Sequence, residues 1–134
     1  MTAAWNESLP LISEQDVVLA RQAIRKAAQQ IGLSIVDQTK IVTAASELAR
    51  NAVVYGGGGR LKWEIVSNNG KQGLRLTITD EGPGIEDLTL AMKDGWTTGS
   101  GLGMGLPGAK RLVNEFEIMS KPGAGTTVIV TRWK

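Results

Sequence analysis

Gly99-Ser-Gly-Leu-Gly-Met-Gly-Leu-Pro-Gly108 places five glycines in ten residues and runs directly into Lys110, Arg111 and the start of a helix. Glycine has no Cβ, so such a stretch can lay bare backbone N–H groups against an anion. Pro107 suits the first turn of a helix, where its missing N–H would be unsatisfied in any case. A helix beginning there turns the positive end of its dipole toward the same place. The stretch therefore reads as a phosphate cradle, although taken alone it is equally a plain surface loop. Gly103, Gly105 and Gly108 match the spacing of the dinucleotide fingerprint, but the context fails. Trp96-Thr-Thr-Gly99 precedes the stretch in place of a strand, and Val128 stands where an acidic residue is needed. The Walker pattern G-x-x-x-x-G-K-[ST] is absent as well.

Outward from this stretch, 134 residues suit one domain, 1–134, with one core. The net charge of +2 comes with no basic run or basic–aromatic stripe, so nucleic acid is not an expected partner. No apolar run reaches the ~18 residues of a membrane span and no signal-peptide pattern opens the chain, which points to a cytoplasmic protein without membrane attachment. The chain has no cysteine and no histidine. That excludes disulfides, thiolate nucleophiles, imidazole bases, phosphohistidine and the usual zinc sites. What remains is chemistry by carboxylates, amides, hydroxyls, cations and backbone, and phosphoryl transfer depends on such groups for positioning and charge neutralisation.

The hydrophobic pattern predicts an α+β, two-layer domain: a mixed, mostly antiparallel sheet with helices on one face. Ser8 to Ile12 reads as a short strand after a loose terminus. Ser13 with Asp16 marks a helix start, and Val17, Val18, Ala20, Ala23, Ile24, Ala27, Ala28 and Ile31 follow helical spacing to a stop at Gly32. A second helix from Asp37 to about Gly56 buries Ile41, Val42, Ala45, Leu48, Ala49, Ala52 and Val53. Leu61–Val66 and Leu74–Thr79 alternate as strands around a turn at 67–71. A short helix at 88–92 is followed by the glycine stretch. The helix from Pro107 carries Leu112, Val113 and Phe116, and strands at 115–120 and 126–132 close the chain.

Four constellations bear chemistry. Glu47 and Asn51 lie four apart on the second helix, hence on one face, and a carboxylate with an amide oxygen so placed can hold a hydrated magnesium ion. Asp80-Glu-Gly-Pro-Gly-Ile85 sets a carboxylate at a strand end, ready to accept from an exocyclic amine. The glycine stretch is third, and Gly123-Ala-Gly-Thr-Thr127 opens the last strand with two hydroxyls. Taken singly, each also reads as an ordinary feature: a polar helix edge, a turn, a loop, a strand former.

In order and spacing together, these segments resemble the ATP-binding boxes of the GHKL superfamily, which includes gyrase, the histidine kinases and MutL. The match spans about 35–130. Ser46-Glu-Leu-Ala-Arg-Asn51, Asp80-Glu-Gly-Pro-Gly-Ile85 and Gly101-Leu-Gly-Met-Gly-Leu-Pro-Gly-Ala-Lys-Arg-Leu112 are most similar to the bacterial anti-sigma-factor serine/threonine kinases, and among them the switch kinases of the stressosome. The resemblance implies a kinase using ATP and Mg2+. Asn51 would hold the magnesium ion, and Glu47 would act on the acceptor hydroxyl or through a metal-bound water. Asp80 would bond the adenine amine, with room given by Gly82 and Gly84. Thr126 or Thr127 would assist beside the base, Thr127 being the slight preference. Gly101, Gly103, Gly105 and Leu106 would wrap the phosphates, with Lys110 or Arg111 neutralising charge. Residues 86–100, including Trp96, Thr97, Thr98 and Ser100, would form a lid.

The implied substrate is a serine or threonine of a STAS-domain antagonist protein. A further implied partner is a PP2C-type phosphatase activated by the released kinase, which would itself be a monomer or homodimer. The alternative is a non-catalytic nucleotide-binding module of the anti-sigma type. One position departs from the histidine-kinase pattern: Val54 stands where those enzymes often carry lysine, leaving Arg50 or Arg60 as replacements.

Overall fold

The computed structural model describes residues 6–85 and 105–134. The chain opens with strand β1 (Asn6–Leu11) and helix α1 (Glu14–Gln30). Asp16 starts that helix as its spacing suggests, its Oδ2 accepting from the Ile12 and Ser13 backbone N–H groups at 2.8 and 3.2 Å. Val17, Ala20, Ile24, Ala27 and Ala28 form the buried stripe. Val18 does not join it: it is exposed, as is its neighbour Leu19.

Helix α2 (Ile35–Val54) begins two residues before the expected Asp37, because Ser34 is the N-cap and its Oγ accepts from the Asp37 N–H at 3.1 Å. Its inward face holds Ile41, Ala45, Leu48, Ala49 and Ala52, and the small residues let it lie close to α1 and the sheet. The helix stops at Val54, and the Tyr55 and Gly56 N–H groups both turn back to the Asn51 carbonyl.

Strands β2 (Gly59–Asn68) and β3 (Lys71–Asp80) are longer than alternation alone suggests. Asn69 (φ 53°) and Gly70 (φ 82°) join them in a two-residue turn with both φ values positive, whose twist matches that of the flanking strands. Helix α3 (Gly105–Arg111) follows, then β4 (Glu115–Ser120) and β5 (Thr126–Trp133). Helix α3 is shorter than expected. It opens at Gly105, two residues before Pro107, and ends at Arg111, so Phe116 belongs to β4. The anticipated helix at 88–92, the lid with Trp96, Thr97, Thr98 and Ser100, and Gly101 and Gly103 lie outside the described residues.

The sheet order is β1-β2-β3-β5-β4, and all four pairings among the described residues are antiparallel. Strands β3 and β4 therefore run the same way with β5 inserted between them. Leu61, Leu74, Leu76, Ile78, Val128 and Val130 face the helices and complete one core with α1, α2 and Leu106. The other face is polar, with Arg75 bonding Thr131 and approaching Glu115. The topology brings the C-terminal ends of α2, β3 and β4 and the N-terminal end of β5 to one edge, and that edge carries the candidate site.

Candidate functional site

Asp80 ends β3 on the face that Leu76 and Ile78 turn toward α2. Its Oδ1 accepts from the Gly82 N–H at 2.9 Å, while Oδ2 has no donor among the described residues. The carboxylate rests against the end of α2. A Cβ on Gly56 would stand 2.5 Å from the Asp80 Cγ, and one on Gly82 would stand 2.6 Å from the Gly56 Cα. The turn after β3 is joined to the turn after β4 in the same manner. Gly84 has φ +76°, and a Cβ there would meet the Lys121 carbonyl oxygen at 2.0 Å. Gly125 has φ +77°, and a Cβ there would meet the Asp80 carbonyl oxygen at 2.2 Å. Three segments thus close backbone to backbone around Asp80. Gly82 and Gly84 are required first by this approach of the protein's own chain.

Thr126 is the register partner of Asp80, and Thr127 that of Thr79. Because side chains alternate along β5, Thr126 shares the helix-facing side with Val128, Val130 and Arg132, whereas Thr127 points to the polar face with Trp133. The register thus sets Thr126, and not the expected Thr127, on the face that carries Asp80. Ser120 joins the group: its Oγ lies 2.8 Å from the Ile85 N–H, 3.0 Å from the Gly125 carbonyl and 2.8 Å from the Thr126 Oγ1.

Asn51 and Glu47 project from the flank of the buried stripe on α2, about one and two turns before its end at Val54. The Glu47 side chain is 16% exposed, with Arg50 Nη1 at 3.9 Å, and Arg50 also reaches Glu14 at 3.7 Å. The Asn51 side-chain amide has no hydrogen-bond partner among the described residues. No group of three carboxylates able to cage a metal occurs among those residues. Magnesium is commonly held by one or two protein oxygens together with water and phosphate oxygens, and an amide without a partner among the described residues, one turn from a mostly buried carboxylate, suits that donor set.

Among the other expected residues, Gly105 opens α3 and Leu106 is buried in the core. Lys110 and Arg111 are exposed in the last turn, roughly 8 Å along the axis from Gly105, where they complement the helix dipole. Arg60 lies on the polar face of the sheet and donates to Ser8 Oγ at 2.9 Å, and it lines an open groove of about 740 Å³ together with Lys62, Thr77, Thr79, Gly56 and Asp80. Sequence reasoning passed over Gly56 and Ser120. Nothing in the local pattern marks a serine at a strand end as a three-way junction.

The model of the Histidine kinase-, DNA gyrase B-, and HSP90-like ATPase family matches residues 23–134. The chain belongs to that family. This ATPase domain is 46% identical to the serine/threonine-protein kinase RsbT of Bacillus subtilis (strain 168) over 92% of both chains. It is 30% identical to an anti-sigma F factor of Thermoanaerobacter sp. (strain X514), over 92% of this chain and 89% of that one. It therefore falls in the kinase and anti-sigma-factor branch of the family. Among solved structures, the RsbU and RsbW domains of a Mycobacterium tuberculosis protein superpose with a TM-score of 0.64 at 24% identity, covering 96% of this chain and 33% of that one. The mycobacterial sensor histidine kinase MprB superposes with a TM-score of 0.57 at 17% identity, over 96% and 97% of the two chains. Both show the fold. No helix among the described residues is long and apolar enough to cross a membrane.

Proposed function

We propose that this protein is an ATP-dependent serine/threonine kinase that phosphorylates a STAS-domain antagonist protein in a partner-switching pathway. What supports the reading is an Asp80 oxygen without a donor among the described residues, the adjoining Thr126, and an α2 that carries Asn51 and Glu47 and whose end packs on Asp80 through Gly56. In that arrangement Asp80 takes the exocyclic amine of the base. Asn51, with Glu47 through water, would hold a magnesium ion, which would supply neutralisation of phosphate charge. Glu47 accepts the proton of the acceptor hydroxyl, whose oxygen attacks the γ-phosphorus as the bond to the β-phosphate oxygen breaks and ADP leaves. Similarity to RsbT and to anti-sigma F factors supports the protein substrate class. A released kinase that binds a PP2C-type phosphatase or another regulator is part of the same reading.

The test incubates the protein and Mg-ATP with the STAS-domain protein encoded beside its gene and maps the product by mass spectrometry. Phosphoserine or phosphothreonine on the partner is the expected result. Intact partner binding without any phosphorylation would instead leave a non-catalytic switching module.

A further inference from the structure

Ser120 has three short polar contacts and a single proton, and their chemistry permits only one arrangement. The Ile85 backbone N–H can only donate, so Ser120 Oγ accepts from it at 2.8 Å. The Gly125 carbonyl can only accept, so the Ser120 proton goes to it at 3.0 Å. The remaining contact, 2.8 Å to Thr126 Oγ1, is then a hydrogen bond only if Thr126 is the donor. The reverse assignment would set a serine lone pair against the Gly125 carbonyl oxygen at 3.0 Å with no proton between them. The Thr126 hydroxyl therefore spends its proton inside the protein and turns lone pairs outward.

Thr126 faces Asp80 across the ladder on the same side of the sheet. Asp80 Oδ1 is occupied by the Gly82 N–H, and Oδ2 is a further acceptor. The Asp80–Thr126 pair thus offers acceptors and no side-chain donor. Such an edge suits an amine and meets a carbonyl with like-signed dipoles and unpaired oxygens.

We propose that Ser120 is a specificity-positioning residue. By holding the Thr126 proton, it makes this edge select a base with an exocyclic amine and reject one with a carbonyl at the same place. The inference rests on the nucleotide reading above and deepens it. Ser120 itself acts through Thr126.

The test is calorimetric titration of the full chain with Mg-ATP and Mg-GTP. The wild-type protein is expected to prefer ATP. In Ser120→Ala the Thr126 hydroxyl can rotate and donate to a carbonyl, so the ATP/GTP affinity ratio is expected to narrow by about tenfold. Ser120→Thr keeps the hydroxyl and is expected to keep the ratio. Thr126→Val leaves the Ser120 bonds to Ile85 and Gly125 in place and is expected to narrow the ratio like Ser120→Ala, so the proposal stays testable if the alanine variant misfolds. An unchanged ratio in Ser120→Ala or Thr126→Val overturns the proposal. So does an equal loss for both nucleotides, or a Ser120→Thr ratio that matches Ser120→Ala. Each of these leaves the kinase reading standing, whereas a wild-type protein that binds neither nucleotide removes that reading and the proposal together.

Discussion

Gly56 and Asp80 lie so close that a single added carbon on the glycine would stand 2.5 Å from the carboxylate Cγ and 2.6 Å from its Cβ. The end of α2 and the end of β3 are therefore located against each other through an absent side chain. The backbone of Gly56 is outside the left-handed region, so alanine is excluded there by space alone. Gly56→Ala is expected to push the Asp80 side chain aside and to destabilise the fold by about 1–3 kcal/mol. The distinguishing outcome is that Mg-ATP no longer raises the melting temperature of the variant, although the folded fraction at room temperature remains high. A variant that keeps the wild-type thermal response to ATP would show that the carboxylate tolerates displacement.

Glu47 presents a sharper separation of binding from chemistry. It is mostly enclosed yet holds only a loose contact with Arg50 at 3.9 Å, so its carboxylate can turn toward a ligand. Glu47→Gln preserves size and removes the base. The expected result is near-wild-type ATP affinity with phosphoryl transfer reduced by about 10²–10⁴-fold, the usual worth of a positioned general base. Single-turnover transfer to the STAS partner, measured beside nucleotide titration, checks both halves. A parallel loss of ATP affinity and transfer would instead assign Glu47 to holding the metal.

Much of this arrangement was legible in the residues. The order of Glu47/Asn51, Asp80, the glycine stretch and Gly125-Thr-Thr127 led to the right fold, in which Asp80 and Gly125-Thr-Thr127 come together at the β3–β5 end. What escaped was set by tertiary registration. A period-two strand places adjacent threonines on opposite faces, so choosing between Thr126 and Thr127 required knowing which of them pairs with Asp80. The same alternation sets Arg60 on the polar face, where it donates to Ser8. Gly56 and Ser120 escaped for a related reason: their importance lies in contacts with residues 24 and 35 positions away, which no local pattern encodes.

That alternation makes the two threonines a matched experiment. Thr126→Val removes an acceptor beside Asp80 and is expected to weaken ATP binding by about tenfold, corresponding to one hydrogen bond of roughly 1.4 kcal/mol. Thr127→Val changes the sheet's other face at a β-favouring position and is expected to alter ATP affinity less than twofold. Calorimetric titration of the pair decides the matter, and the opposite ranking would mean that the β3–β5 register differs from the one described.

A second long-range tie lies at the far end of α2, where Arg132 Nη2 donates to Asp37 Oδ1 at 2.6 Å and Nη1 donates to the Leu112 carbonyl at 3.4 Å. This arginine joins the start of α2, the chain just after α3 and the last strand. Its hydrogen bond to Asp37 is the main cause holding that carboxyl below its ordinary value, against the opposing effect of burial. A carboxyl depressed in the folded state stabilises the fold fully above its unfolded value and loses that contribution as pH falls through the folded-state value. Asp37→Asn is therefore expected to cost about 1–2 kcal/mol at neutral pH, the range of a charge-assisted hydrogen bond only partly retained by the amide. The gap should begin to narrow as the medium is taken below about pH 4, where the Asp37 carboxyl of the unfolded chain takes up its proton before that of the folded protein. Urea unfolding of both proteins at neutral pH and at about pH 3 measures the difference directly. A gap that stays constant across that range would show that the Asp37 charge contributes nothing and that the pair acts through packing alone.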